Sequence, residues 1–320
     1  MAAPPHARRS HAASPQPIRP WTGLVGALVA TVLIAGGLIV VSLLRQGQTP
    51  APKPPAPTCT ATLVDGRQAR LDLEQAGNAS LIAGVANQRG LIPRATSIAL
   101  ATAFQESGLR NLDYGDLDSL GLFQQRPAAG WGTPEQIMDP YYSTGKFFDA
   151  LARVPDWQTA DIGDVAQEIQ RSAFPDSYDQ HVERARILAS ALTGETPAAW
   201  SCHLRNPQPA DPAGLAAGLS RTFGDLVTIT LVPAVAGDPT TPDTPATPAR
   251  LTVQAASTPL AWSAAAFAQS WAPTYGVRQV QVGDYVWTGQ SDVQAGWVGQ
   301  PGSADPATAE ATVEIVFGAA

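Results

Sequence analysis

The sequence has few charges and almost no lysine. Charged residues make up 15% of the 320 residues, the formal net charge is −7, and Lys53 and Lys146 are the only lysines. Proteins that bind nucleic acid usually present a basic face, so this balance argues against nucleic acid as a partner. The abundance of alanine and proline, with arginine as nearly the only basic residue, is typical of a GC-rich bacterial genome such as an actinomycete's.

Motifs for metals and cofactors are also lacking. The sequence contains four scattered histidines, His6, His11, His181 and His203. Metal sites need ligands at short, regular spacings, and these histidines have none. Neither a P-loop nor a dinucleotide-binding fingerprint occurs in the sequence. We therefore expect no metal and no cofactor.

Cysteine is limited to two residues, Cys59 and Cys202, which bracket one predicted helical stretch. A disulfide between them would persist only in an oxidising, extracytoplasmic compartment. From chain entropy, closing so long a loop stabilises a protein by about 4–5 kcal/mol. The alternative is two unpaired, buried thiols. We expect the disulfide, and with it an extracytoplasmic location.

One long run, residues 21–44 (WTGLVGALVATVLIAGGLIVVSLL), carries no charge. A helix needs roughly 20 apolar residues to cross a bilayer, whereas the apolar core of a cleaved signal peptide, the alternative, has roughly 7–15. We predict a single transmembrane helix at 21–44 that contacts the lipid bilayer and locates the protein at the cell membrane. Three arginines precede the run, and Arg45 and Lys53 follow it; this slight bias favours a cytoplasmic N-terminus and an extracytoplasmic C-terminus.

Helical patterns dominate the next part of the chain, with Pro93 and Pro140 at predicted helix starts and Gly108 at a helix end. Strand and helix patterns alternate towards the C-terminus, where 312–317 is predicted to be an edge strand. We therefore predict a mainly α fold. It comprises a cytoplasmic disordered tail at 1–20, the transmembrane helix at 21–44, a Pro-rich linker at 45–58, a helical domain at 59–194, a linker at 195–212, and a small α/β domain at 213–320 with a disordered insert at 233–248.

Glu106 is the candidate catalytic acid. It lies near the end of the helix that stops at Gly108, on a face with small and apolar residues such as Ala103 and Ile98. Desolvation on such a face favours the protonated carboxyl, which is the form that protonates a leaving oxygen. The alternative is a helix-end carboxylate paired with Arg110 or Arg126.

The loop at 109–138 is long for a compact domain, and such loops are often functional. Gly121 allows close approach of a ligand to the backbone, and Gln124 offers an amide to a polar sugar. The loop also holds three carboxylates that either supply a second catalytic group or form turns: Asp113, Asp116 and Asp118. Aromatic residues that either stack on sugar rings or pack in the core follow: Trp131, Tyr141 and Tyr142.

Two motifs carry a family resemblance. Glu106-Ser107, followed by Ser119 and the Gly-Leu-Phe-Gln sequence at 121–124, resembles the paired signatures of lytic transglycosylases and goose-type lysozymes. Gln-Glu-Ser-Gly followed by Tyr-Gly is also similar to the resuscitation-promoting factors of actinomycetes. The resemblance covers roughly residues 75–194, about a third of the chain, and only the Glu-Ser and Gly-Leu-Phe-Gln parts are specific.

The resemblance implies a lysozyme-like fold for 59–194, with Glu106 as general acid/base and Ser107 orienting it. Residues that would line the saccharide cleft are Ser119, Leu122, Gln124 and Tyr178. The implied function is cleavage of peptidoglycan glycan strands by one glutamate, assisted by the substrate's own N-acetyl group. The sequence SAFPDSY at 172–178 departs from the family's Ala-Tyr-Asn-Ala-Gly motif, which favours the alternative of a non-catalytic, glycan-binding envelope protein. A further alternative is a scaffold whose C-terminal domain binds a protein partner that the sequence does not identify.

Overall fold

The structure, a computed structural model, describes residues 31, 33, 35–37, 56–172, 175–205, 209–237, 246–289 and 296–318. The chain divides into two units, Met1–Pro55 and Ala56–Ala320. In the first unit only the positions 31, 33 and 35–37 are described, and they are helical. All that follows concerns the second unit.

No helix in the described ranges combines the length and the apolar character that crossing a bilayer requires. Most of the segment predicted to span the membrane, 21–44, lies outside the described residues. The predicted tail at 1–20 and most of the linker at 45–58 lie outside them as well, as do residues 238–245 of the predicted insert.

The prediction of a mainly α fold is wrong. Of the described residues, 47% are helical and 20% are in strands, and the strands form two antiparallel sheets of three and six strands. The fold is therefore mixed α/β. Strands lie at the start of the segment that the sequence assigned to a helical domain and in the linker that follows it. They were missed because each has only four or five residues, and the strand at 200–203 pairs with one that is distant in sequence.

Most helices begin where the sequence supplies a cap. Asp72, Asp139 and Asp161 each accept a hydrogen bond from a backbone amide in the first turn of the helix that follows. The helices are α1 (Leu73–Gln88), α2 (Pro93–Ser107), α3 (Pro134–Met138), α4 (Pro140–Leu151), α5 (Ile162–Gln170), α6 (Asp179–Leu192), α7 (Pro212–Phe223), α8 (Thr258–Ser270) and α9 (Ala272–Tyr275).

The smaller sheet joins the two ends of the helical region. Its strands are β1 (Thr58–Thr62), β2 (Gln68–Leu71) and β3 (Trp200–His203), in the order β2-β1-β3. Cys59 lies directly opposite Cys202 in the antiparallel β1–β3 pair, and the two form a disulfide. The predicted disulfide is confirmed, and the alternative of two free thiols is wrong.

The larger sheet has the order β4-β5-β9-β6-β7-β8. Its strands are β4 (Val227–Val232), β5 (Arg250–Ala255), β6 (Val277–Val282), β7 (Tyr285–Thr288), β8 (Val298–Gly299) and β9 (Thr312–Phe317). The strand predicted to lie at the sheet edge, β9, is instead hydrogen-bonded on both sides, to β5 and β6. Alternation of apolar residues identified this strand but carried no information on its neighbours.

Helix α1 lies at the centre of the packing, since every residue from Ala76 to Ala86 is buried. Such a helix must contact other elements on all sides. A Cβ on Gly77 would meet the Trp271 ring at 3.2 Å, and one on Gly84 would lie 2.2 Å from a methyl of Thr222. The segments 59–194 and 213–320 thus share one hydrophobic core, and the C-terminal end of α2 lies at one side of it.

Candidate functional site

Glu106 lies in the last turn of α2 and is half-buried. Its Oε1 accepts a hydrogen bond of 2.6 Å from the Oη of Tyr178, and the nearby Gln170 side chain also favours the ionised form of the carboxyl. The pKa of Glu106 is raised above its ordinary value, because desolvation penalises the ionised form more than the Tyr178 hydrogen bond and the Gln170 side chain favour it. The geometry is that of a carboxyl fixed in place and biased towards its protonated form.

Among the described residues, no guanidinium pairs with this carboxyl. Arg110 forms ion pairs with Asp72 and Glu74, and Arg126 Nε lies 2.6 Å from Asp118 Oδ1. The alternative in which Glu106 is a structural carboxylate paired with Arg110 or Arg126 is therefore wrong. Burial of the carboxyl is the main cause of the shift in the pKa of Glu106.

Ser107 connects the end of α2 to the following turn. Its Oγ lies 2.7 Å from the carbonyl oxygen of Leu122 and 3.0 Å from that of Ala103. The same Oγ accepts a hydrogen bond of 3.2 Å from the Arg110 amide. Ser107 thus holds the turn against the helix that carries Glu106.

The turn at 119–125 is closed by backbone pairing of Leu120 with Gln125. Leu122 and Phe123 are fully buried, and Phe123 stacks on Phe147 with ring centroids 4.5 Å apart. The Leu122 side chain therefore packs in the core rather than on an open cleft. The Phe123 carbonyl accepts a hydrogen bond of 2.8 Å from Gln170 Nε2, so Gln170 holds this turn against the end of α5.

Gln124 braces the loop that precedes it. Its Nε2 lies 3.3 Å from the carbonyl oxygens of both Tyr114 and Gly121. A Cβ on Gly115 would lie 1.8 Å from Gln124 Oε1 and 2.7 Å from the carbonyl oxygen of Ser119. Glycine is thus required at 115, and the Gln124 amide is directed into the loop. Ser119, only 7% exposed, belongs to the same tightly packed segment.

Tyr178 is fully buried immediately before α6. Burial and the hydrogen bond to Glu106 raise the pKa of the phenol above its ordinary value, so Tyr178 keeps its proton and remains a donor at neutral pH. The sequence placed Tyr178 in the saccharide cleft. In the structure its hydroxyl donates the hydrogen bond that positions the Glu106 carboxyl.

The loop carboxylates differ in their surroundings. Asp118 binds Arg126 and accepts a hydrogen bond of 2.8 Å from the Ala128 amide, and these contacts lower its pKa. Asp118 therefore stabilises the loop, whereas Asp113 and Asp116 are exposed. In the part of the chain that the structure describes, no group of three or more His, Cys, Asp or Glu side chains is arranged to hold a metal ion.

The candidate stacking aromatics are partly buried. Trp131 and Tyr141 pack against the hydrophobic core, and the Tyr141 hydroxyl lies 3.1 Å from Thr222 Oγ1. Tyr142 is half-buried, and the Lys146 ammonium lies 5.5 Å from its ring centroid. These contacts agree with the interpretation that the three aromatic residues pack against the protein, which was the alternative to stacking on sugar rings.

Sequence reasoning missed two features beside Glu106. Gln170 ends α5 and carried no motif, apart from being a polar residue at the end of an amphipathic helix. Gln105, the neighbour of Glu106, accepts hydrogen bonds of 3.2 Å from both Gln180 and His181. The C-terminal end of α2 and the start of α6, distant in sequence, are thus joined by side-chain hydrogen bonds.

No protein-family model matches the chain, and no curated protein is significantly similar to it in sequence.

Proposed function

We propose that this protein acts on peptidoglycan outside the cytoplasm and cleaves its glycan strands with Glu106 as general acid. The observation that carries the proposal is the Tyr178–Glu106 hydrogen bond of 2.6 Å on a half-buried carboxyl whose pKa is raised. A carboxyl with these properties retains a proton closer to neutral pH than an exposed glutamate does. The resemblance of the Glu-Ser and Gly-Leu-Phe-Gln motifs to lytic transglycosylases supplies the substrate class.

The chemistry needs one carboxyl. Protonated Glu106 donates its proton to the glycosidic oxygen as the bond between that oxygen and the anomeric carbon breaks. The substrate's N-acetyl group assists from the same sugar, and the sugar's own hydroxyl then displaces it while Glu106 takes up the hydroxyl proton. Because Asp118 is engaged by Arg126 and the Ala128 amide, this route is favoured over a mechanism that uses Asp118 as a second carboxylate.

The Cys59–Cys202 disulfide supports an extracytoplasmic location, since disulfides persist in oxidising compartments. Peptidoglycan lies in that compartment in bacteria. Attachment to the cell membrane through residues 21–44 stays a prediction, because most of that segment is outside the described residues.

The test is digestion of purified peptidoglycan by the full-length, oxidised protein and by Glu106→Gln. We expect loss of at least 100-fold in rate, typical of removing a general acid, and products ending in anhydro sugars by mass spectrometry. Glu168→Gln removes an exposed carboxylate of α5 and serves as the matched control, with wild-type activity. Equal rates for wild type and Glu106→Gln would rule out Glu106 as the acid.

A second candidate is a non-catalytic, glycan-binding envelope protein. Two observations favour it: Leu122 and Gln124 point into the fold, and neither of two cavities found in the structure includes Glu106. In that case neither wild type nor Glu106→Gln would release fragments, yet both would sediment with insoluble peptidoglycan in a saturable manner.

A further inference from the structure

A cavity of about 390 Å³ opens between the first turn of α2, the start of α5 and the second half of α6. Its volume lies within the range of small-molecule sites. The residues that line it include Arg94, Ser97, Ile162, Arg186, Ser190 and Glu195. No residue of the Glu106 site contributes to it, so the two sites are separate.

Two arginines on the cavity wall have no counter-anion among the residues that the structure describes. Arg186 lies on the same face of α6 as Ser190, four residues later, and it makes no side-chain hydrogen bond or ion pair within the described ranges. Arg94 donates hydrogen bonds to the carbonyl oxygens of Trp157 and Ala160, but no described carboxylate pairs with it. By contrast, five other arginines form ion pairs: Arg67, Arg89, Arg110, Arg126 and Arg221.

The cavity also holds one uncompensated negative charge. Glu195 is exposed on its wall and has no hydrogen-bond or ion-pair partner among the residues that the structure describes. It does not pair with Arg186, although both line the same cavity. Ser190 Oγ lies 2.8 Å from the hydroxyl of Thr196, and Ser97 Oγ lies 3.3 Å from the Pro93 carbonyl.

We propose that this cavity binds a short peptide of about dipeptide size. The guanidinium of Arg186 takes its terminal carboxylate, since the planar guanidinium fork matches a carboxylate. Arg94, whose Nε and Nη2 donate to the carbonyl oxygens of Trp157 and Ala160, contributes its remaining Nη1. The Glu195 carboxylate takes its terminal ammonium, and Ile162 contacts a small apolar side chain. A multiply charged phosphate fits less well, because Glu195 would repel it.

The test is titration of the full-length, oxidised protein with alanylalanine, followed by calorimetry. We expect saturable one-to-one binding that weakens at least tenfold when the peptide carboxylate is amidated, and again when the peptide ammonium is acetylated. Arg186→Gln should weaken binding at least tenfold. Arg153→Gln, which changes an exposed arginine that does not line the cavity, is the control and should bind as wild type does.

Absence of saturable binding at millimolar peptide would overturn the proposal. So would equal affinity of Arg186→Gln and Arg153→Gln, or equal affinity for the free and the capped peptides. Tighter binding of inorganic phosphate than of the dipeptide at the same cavity would replace the peptide with a phosphate ligand. Binding should be unchanged in Glu106→Gln, so this result and the peptidoglycan assay succeed or fail independently.

Discussion

The phenol of Tyr178 donates a hydrogen bond of 2.6 Å to Glu106 across 72 residues of sequence. It joins the residue before α6 to the last turn of α2 and fixes the carboxyl relative to both helices. The hydrogen bond favours the carboxylate, whereas burial favours the acid, and burial dominates. The pKa of Glu106 therefore depends on a partner that can be removed without replacing the carboxyl.

We predict that Tyr178→Phe raises the pKa of Glu106 further, because it removes a donor to the ionised form while retaining the ring. If the protonated carboxyl is the catalytic acid, the alkaline limb of the pH profile of kcat/KM moves to higher pH. Digestion rates of soluble glycan fragments between pH 4 and 9 would measure the shift.

The control for that variant is Tyr285→Phe, which removes a hydroxyl that donates to the Ala304 carbonyl at 2.9 Å, away from α2. It should leave the profile unchanged. A downward shift of the alkaline limb in Tyr178→Phe would contradict the assigned direction of the hydrogen bond.

We predict that Glu106→Gln is more stable than wild type at neutral pH. The folded-state pKa of Glu106 lies above its unfolded value, so the contribution of this carboxyl to stability is greatest below the unfolded pKa and is lost as pH rises through the folded pKa. Glutamine avoids that loss and still accepts a hydrogen bond from Tyr178. Thermal unfolding from pH 3.5 to 8 should show a higher Tm for Glu106→Gln than for wild type at neutral pH and no difference at the acid end. Each kcal/mol of stability corresponds to roughly 2–4 °C in Tm.

Glu168→Gln again provides the comparison, because it makes the same chemical change at an exposed side chain, and its Tm should follow wild type. A Glu106→Gln protein that is less stable than wild type at pH 7 would mean that the fold stabilises the carboxylate rather than the acid.

The helices were largely predictable because their signals are local. Pro93 and Gly108 gave the limits of α2, and Asp139-Pro140 gave the start of α4, as the structure confirms. The strands β1 and β3 were not predicted, since pairing of Cys59 with Cys202 joins chain segments 143 residues apart. Each strand is too short for its alternation to be distinguished from a loop.

At the site, sequence reasoning identified groups more readily than their orientations. Glu106 on an apolar face predicted a desolvated carboxyl, and the structure has one. Gln124 was expected to face a sugar, yet its φ of 46° and its hydrogen bonds direct the amide into the loop. Gln170 was missed because its approach to Glu106 depends on how α5 packs against α2, which no local pattern encodes.

We predict that Gly115→Ala destabilises the fold by about 1–3 kcal/mol, the usual cost of an overpacked position. Its Cβ would lie 1.8 Å from Gln124 Oε1 and 2.7 Å from the Ser119 carbonyl oxygen. Adding Gln124→Ala should relieve only part of the loss, because the backbone contact remains. Denaturant unfolding of the single and double variants measures the total loss in stability and the part of it that Gln124→Ala relieves.

A glycine-to-alanine change in open space gives the matched control. In Gly145→Ala the nearest atom, Arg89 Nη1, lies 3.9 Å from the new Cβ, and the residue is inside α4, so a gain of about 0.5–1 kcal/mol is expected. Destabilisation by Gly145→Ala equal to that by Gly115→Ala would show that the contacts around position 115 are not the cause.

The disulfide yields the last prediction. Cys59 and Cys202 are both fully buried, and the loop they close spans 143 residues, so chain entropy gives a stabilisation of about 4–5 kcal/mol. The double variant Cys59→Ala/Cys202→Ala should lose about 2–5 kcal/mol in free energy of unfolding. Reductant should lower the stability of wild type by a similar amount and leave the double variant unchanged.

The same bond tests the proposed compartment. Protein isolated from its native cells under thiol-trapping conditions should contain no reactive thiol, because both cysteines would already be oxidised by the surroundings. Two trapped thiols in protein denatured immediately after lysis would show that the chain folds in a reducing compartment. Since peptidoglycan is outside the cytoplasm, that result would remove the protein from its proposed substrate, whatever the pKa of Glu106.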